Sequence, residues 1–226
     1  VFEGSDGNQH LKLISLKQLS STYKWNNIAA DVNWESSTLY TGLNGEYFLT
    51  NTTYDYLQNN TWLNKIEDWT WSAVNTKTWS DSGPNYWNSL SPSQIYLHEM
   101  NRSSKTSSIG EWTNPTAKIG LMYASDYQMS LGSSSLSYTG SSNASTLKTG
   151  WMHQSNNDTT ASSYEWTLSR IGDYGGYFFA CYVDSDGLVS ISGVDSTNGA
   201  RPVFHLTSDA RISGGNGEYT NPYILE

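Results

Sequence analysis

Ten tryptophans and sixteen tyrosines stand in a 226-residue chain whose hydrophobic residues amount to only 36%. That imbalance constrains the fold more than any other feature. Aliphatic side chains are too few to fill the interior, so buried area must come from large rings that also carry a polar edge. A chain of this length can bury a real core without cross-links. The long Ser/Thr/Asn/Gly stretches therefore read as loops of a folded domain, not as disorder.

Charged residues make up 15% of the chain, against roughly a quarter in ordinary soluble domains. Surface polarity must come from hydroxyls and amides, a composition that points to a secreted or cell-surface, extracellular module. The net charge of −9 repels phosphate backbones and anionic headgroups, so nucleic acid and bare membrane surfaces are poor partners. No apolar run is long enough to span a bilayer. The opening Val1-Phe2-Glu3-Gly4 reads like the tail of a strand, and we expect a mature or trimmed piece whose leader or anchor lay upstream.

Cys181 is the only cysteine, which leaves no intrachain disulfide and no cysteine-based zinc site. Within an apolar strand it reads as a packed core residue. The histidines His10, His98, His153 and His205 show no metal-ligand spacing, and His205 alternates with apolar neighbours as a packed residue would. No nucleophile-elbow motif is present. The expectation is a chain that is not an enzyme and needs no cofactor or metal.

Along the chain, Val1-Phe2, a turn over 4–8 and Leu11–Leu16 predict a hairpin. Ser36 or Ser37 caps a helix carrying Leu39, Leu43 and Tyr47. A second helix is expected over Trp62–Val74, and a third after Ser91-Pro92, covering Gln94–Met100. Lys118–Tyr123 reads as a central strand, 130–163 as a long polar loop, and Tyr164–Leu168 as a strand. Tyr177–Val183, a turn at 184–187 and Leu188–Ile191 predict a second hairpin. With Arg201–Leu206 and Pro222–Leu225, apolar strands stand at both ends, and their pairing would close a sheet. Helices early and strands late argue for one α+β domain over 1–226.

Several segments together carry a resemblance. They are Ser37-Thr38-Leu39 with Leu43-Asn44, the run Lys118–Tyr127, Glu165–Ser169, the hairpin Tyr182–Gly187, Gly199–Val203 and Gly217–Tyr223. In this order the chain resembles a family of surface domains from gut-type Gram-positive bacteria. That family is related to the C-type-lectin-like fold of formylglycine-generating enzymes and of retroelement-diversified receptors. The resemblance spans nearly the whole chain, and the Ile119–Tyr127 run is its most specific part. It implies a C-type-lectin-like fold: short twisted antiparallel strands, two to three helices in the first half and long polar loops. It also implies a pilus-associated or surface-anchored protein, such as an adhesin. Relatives often carry a cysteine pair before the Trp166 segment, where this chain has Leu147, Trp151 and Met152. The copper-binding cysteine pair of formylglycine-generating enzymes has no counterpart here.

The strongest binding signal is aromatic and hydroxyl-rich. Tyr174, Tyr177 and Tyr182, with Ser190, Ser192 and Asp195, compose an adaptable recognition surface of the kind that takes a glycan or protein ligand. In receptors of the resembled fold the matching C-terminal region presents the ligand face. Strand alternation places only half of these residues outward. Asp184–Gly187 matches the start of a calcium loop but lacks the distal glutamate, so a hairpin turn is the stronger reading. Trp62, Trp69, Trp71, Trp79 and Trp87 read as core. Arg201 calls for a buried carboxylate, with Glu99 as the expected partner. The competing function is structural, a subunit of an extracellular filament that self-assembles through open strand edges.

Overall fold

The computed structural model describes residues 2–3, 7–15, 17–28, 33–45, 63–73, 91–100, 114–131, 150–153, 162–174, 177–216, 221 and 224–225. Most of the predicted polar loop and the residues Tyr47, Trp62, Trp79 and Trp87 lie outside them. The architecture is mixed α and β, with small antiparallel sheets and few helices.

The strands are short in the first half: β1 (Phe2–Glu3), β2 (Gln9–His10), β3 (Lys12–Ile14), β4 (Tyr23–Lys24), β5 (Trp69–Thr70) and β6 (Thr116–Ala117). The longest, β7 (Glu165–Tyr174) and β8 (Tyr177–Val183), join β9 (Val189–Gly193) in a three-stranded sheet of order β7-β8-β9. Four short strands follow: β10 (Thr197–Asn198), β11 (Val203–His205), β12 (Ile212–Gly214) and β13 (Ile224–Leu225). The expected closure between the two ends takes a different form. β1 pairs with β2 and β13 with β12, each locally, and it is β11 that crosses to β3. Val203 also exchanges two backbone hydrogen bonds with Gly120, so the stretch around 120 joins β3 and β11.

Three helices follow from local chemistry. Helix α1 (Thr38–Asn44) starts where Ser37 accepts from the Tyr40 N–H at 3.0 Å, and it buries Leu39 and Leu43 one turn apart. Asn44 clamps it to the interior: its amide donates to the Ile119 carbonyl and accepts from the Ile119 N–H, both at 2.9 Å. Helix α2 (Pro92–Glu99) opens on a proline that has no N–H to leave unpaired. Ser91 and Gln94 close it with reciprocal bonds, Ser91 N–H to Gln94 Oε1 at 2.9 Å and Gln94 N–H to Ser91 Oγ at 3.3 Å. Helix α3 (Ala124–Ser130) begins where Asp126 accepts from the Tyr123 N–H at 2.8 Å.

Two expectations change. In place of the helix expected over 62–74, the described residues 63–73 hold a single helical position at Leu63, a turn at 64–65 and the strand β5. Ile66 and Trp69 have helical spacing, but from Trp69 to Ala73 burial alternates with a period of two, and that pattern pairs with β6. The central strand over 118–123 is reduced to one bridge at Gly120, although Ile119–Tyr123 is buried throughout. α3 follows at once. Gly120 is required there because a Cβ would lie 2.5 Å from the Trp71 ring.

The core is built on rings, as the composition requires. Trp25, Trp34, Trp71 and Trp166 are all buried. Three of their indole N–H groups donate to backbone carbonyls: Trp25 to Thr167 at 3.1 Å, Trp71 to Ala117 at 2.9 Å and Trp166 to Tyr23 at 2.8 Å. In these three a large apolar area comes with a polar tie across distant chain segments, whereas the buried Trp34 indole N–H finds no partner among the described residues. Of the tryptophans expected in the core, Trp71 is buried and Trp69 half-buried.

Candidate functional site

Asp184 makes the β8–β9 turn. Its Oδ1 accepts from the N–H groups of Asp186 (2.8 Å) and Leu188 (2.9 Å), and Gly187 adopts a φ of 78° that favours glycine. One oxygen of the carboxylate is thereby engaged in the turn, which is the hairpin that the sequence suggested. The turn sets the register that opposes Tyr182 to Ser190 and Ala180 to Ser192. Directly opposed residues share a face, so Tyr182, Ser190 and Ser192 lie together. Trp166 of β7 is opposed to Tyr182 on the same face, and the two rings meet edge to face at 6.2 Å.

A residue outside the predicted set completes this face. Exposed Tyr164 stands edge-on to Tyr182 at 5.6 Å, so the Tyr182 ring contacts a buried indole and an exposed phenol. The signal that could have found Tyr164 was the hairpin register, extended one residue beyond β7.

The other predicted residues are placed elsewhere. Tyr177 is 63% exposed, but alternation along β8 turns it to the opposite face from Tyr182. It also sits roughly 17 Å along the strand from Tyr182 at the usual rise per residue. Tyr174 is opposed to Tyr177 in register, and its side chain lies outside the described residues. Asp195 is exposed in a tight turn closed by the Ser196 N–H on the Gly193 carbonyl at 2.9 Å. Ser192 donates to Ser196 Oγ at 2.9 Å, which ties that hydroxyl to the same turn. The six residues expected to form one surface are thus divided. Tyr182, Ser190 and Ser192 share a face, the first two joined by Tyr164 near the Asp184 turn, while Tyr177 is turned to the opposite face, Asp195 sits in the turn after β9, and the Tyr174 side chain lies outside the described residues.

Groups with chemical potential lie inside. Glu99 is 1% exposed and accepts from the hydroxyls of Ser125 and Ser169, which joins α2 to α3 and β7. Burial pushes its carboxyl up to about 7 against the pull of both serines. The carboxyl is enclosed, with both neighbouring hydroxyls donating to it. Burial, with Glu99 adding its charge, likewise pushes the Cys181 thiol far up, and that keeps it protonated.

The partner of Arg201 is Glu165, not Glu99. Arg201 Nε donates to Glu165 Oε1 at 2.7 Å, and the two side chains are 0% and 1% exposed. Burial drives the Glu165 carboxyl up while the guanidinium pulls it down. The expected kind of partner is present, but it comes from β7, because Gly199–Val203 runs beside that strand: the Trp166 N–H donates to the Gly199 carbonyl at 2.9 Å.

His205 lies flat on Trp69 at 3.8 Å and tilted against Trp71 at 5.2 Å. Burial, then Lys12 and His10, push its imidazole down to about 3, so the ring is neutral. The neighbouring His10 donates through Nδ1–H to the Leu206 carbonyl at 2.9 Å, a partner that can only accept. Among the described residues no group of three histidines, cysteines or carboxylates could hold a metal ion, and no helix is long and apolar enough to cross a membrane. Comparison of the chain with family models, curated proteins and solved structures finds no match.

Proposed function

We propose that this chain is a non-catalytic recognition module of C-type-lectin-like fold, displayed outside the cell or on a pilus, that binds a glycan or protein ligand. The observation that carries the reading is the Tyr164–Tyr182–Ser190 face. Two tyrosine rings stand edge to face over a buried indole, beside a serine on the neighbouring strand. Such rings offer contact area at low entropic cost, because packing from below already restricts Tyr182. Hydroxyls at their rim provide hydrogen bonds without the desolvation cost of a charge.

Other observations support the same reading. Cys181, Glu99 and Glu165 are each buried in the interior. The pairing of β3 with β11 brings an early and a late segment into one sheet.

Screening on glycan and protein arrays tests the proposal, followed by affinity measurements on Tyr164→Ala, Tyr182→Ala and Tyr177→Ala. Loss of at least about tenfold is expected for the first two. Arrays without a hit, or a ligand held equally well by the Tyr164→Ala/Tyr182→Ala double variant, would reject it.

A further inference from the structure

The chain has four methionines, and three of them converge on one groove. A cavity of about 380 Å³ is lined by Met122, Met129 and Met152 together with Trp151, Val203 and all three residues of β3. Its floor is buried, with Met122 1% and Met152 5% exposed, while its lip is open, with Met129 46% and Trp151 57% exposed. Methionine side chains are unbranched and polarizable, and a wall of them adapts to apolar groups of different shape.

The charged groups at this groove are already matched. Lys12 Nζ donates to Asp126 Oδ2, and the same ammonium lies over the Tyr123 ring at 4.9 Å. The ion pair therefore leaves no net charge to select an ionic ligand. What remains is an apolar volume large enough for a bulky side chain, near the lower end of the range for ligand pockets.

Beside that volume is a strand edge. β3 has β11 as its neighbour and no other strand among the described residues. Val203, which faces Ile14 in register, spends both backbone groups on Gly120: its N–H donates at 3.0 Å and its carbonyl accepts at 2.8 Å. Two bonds fix the phase of the β3–β11 ladder, from the Ser15 N–H to the Pro202 carbonyl and from the Leu206 N–H to the Leu11 carbonyl, both at 2.9 Å. In an antiparallel ladder of that phase, the residue next to Ser15 aims its N–H and C=O away from the partner strand. Ile14 is that residue, and no described residue takes either group.

From these features we infer that the groove at the β3 edge is a docking site for an extended, uncharged peptide segment of another protein. The segment pairs with Ile14 through its main chain and seats one large apolar side chain among Met122, Met129, Met152 and Trp151. An adjacent backbone donor and acceptor match a peptide main chain, and the neighbouring pocket gives the side-chain preference, which is the logic of strand addition. This site lies apart from the tyrosine face, so neither reading depends on the other.

The test uses short capped peptides of alternating threonine and valine with a central phenylalanine, leucine or lysine. They are titrated into the full chain labelled with ¹³C at the methionine methyls. Phenylalanine and leucine peptides are expected to shift Met122, Met129 and Met152 but not Met100, and to slow hydrogen exchange at the Ile14 amide. The lysine peptide should bind at least about tenfold more weakly, as should a phenylalanine peptide N-methylated at alternate amides. Met129→Lys, at an exposed position, should abolish the shifts at Met122 and Met152, while Tyr177→Ala leaves them intact. The inference is overturned if no peptide shifts these methyls, if the N-methylated peptide binds as well as its parent, or if all four methyls move together. Concentration-dependent shifts without peptide would also overturn it, in favour of a second copy of the chain.

Discussion

The seam where the Gly199–Val203 stretch meets β7 and the Gly120 segment contrasts with the outer face of β8 and β9. The seam holds a fully enclosed Arg201–Glu165 pair, a glycine pressed against Trp71 and, nearby, the buried carboxyl of Glu99. The outer face holds tyrosines and serines with partial exposure and few ties. Polar groups occur in both, but their energetics differ. In the seam each polar group was removed from water and depends on its protein partners, so the loss of one is costly. On the outer face water can replace a lost partner, and stability there is tolerant while binding is not.

The sharpest way to break this contrast is Arg201→Ala, which leaves the Glu165 carboxyl buried without its cation. A loss of about 3–5 kcal/mol in chemical denaturation is expected. A loss under about 1 kcal/mol would mean that the seam behaves like the surface.

Glu99→Gln probes the second buried carboxyl through pH. Its folded-state value near 7 lies above the unfolded value near 4.5, so the stability it contributes is full below about pH 4.5 and is lost as pH rises through about 7. That loss is about 3 kcal/mol at one pKa unit per 1.36 kcal/mol. The comparison of wild type with Glu99→Gln, by denaturation from about pH 4.5 to 8.5, should show the variant free of this decline. His205 contributes the opposite slope in acid, since its neutral buried ring resists protonation below about pH 6.5. The difference between the two proteins cancels that contribution. Parallel profiles would show that the carboxyl does not titrate in this range.

Gly120→Ala tests packing alone. The new methyl must displace the Trp71 ring, and a loss of about 1–3 kcal/mol in thermal or denaturant unfolding is expected. On the outer face, Tyr182→Ala should cost about 1 kcal/mol through its two ring contacts, and Tyr177→Ala, exposed on the opposite face of β8, within about 0.5 kcal/mol. If Tyr182→Ala destabilises as much as Arg201→Ala, the division between seam and outer face fails.

Much of the local structure was legible. Ser37 before Leu39 and Leu43 marked α1, and Ser91-Pro92 marked α2, because caps act through bonds a few residues long. Asp184–Gly187 marked the hairpin for the same reason. The segment 62–74 misled because Ile66 and Trp69 satisfy helical spacing by coincidence, and pairing with β6 outweighs that pattern. Of the binding residues, Tyr182 and Ser190 were identified and are neighbours, whereas Tyr177 was grouped with them although alternation turns it away.

The sequence by itself determined that the core would be aromatic, where helices could begin and where the chain would turn. Each of these depends on composition or on residues within one helical turn. Only the tertiary structure decided that Arg201 meets Glu165 and not Glu99, that Glu99 meets two serines, and that three methionines share a groove beside Ile14. These juxtapositions join residues far apart in the chain, from Lys12 to Val203, and no local propensity encodes which distant strand arrives beside which.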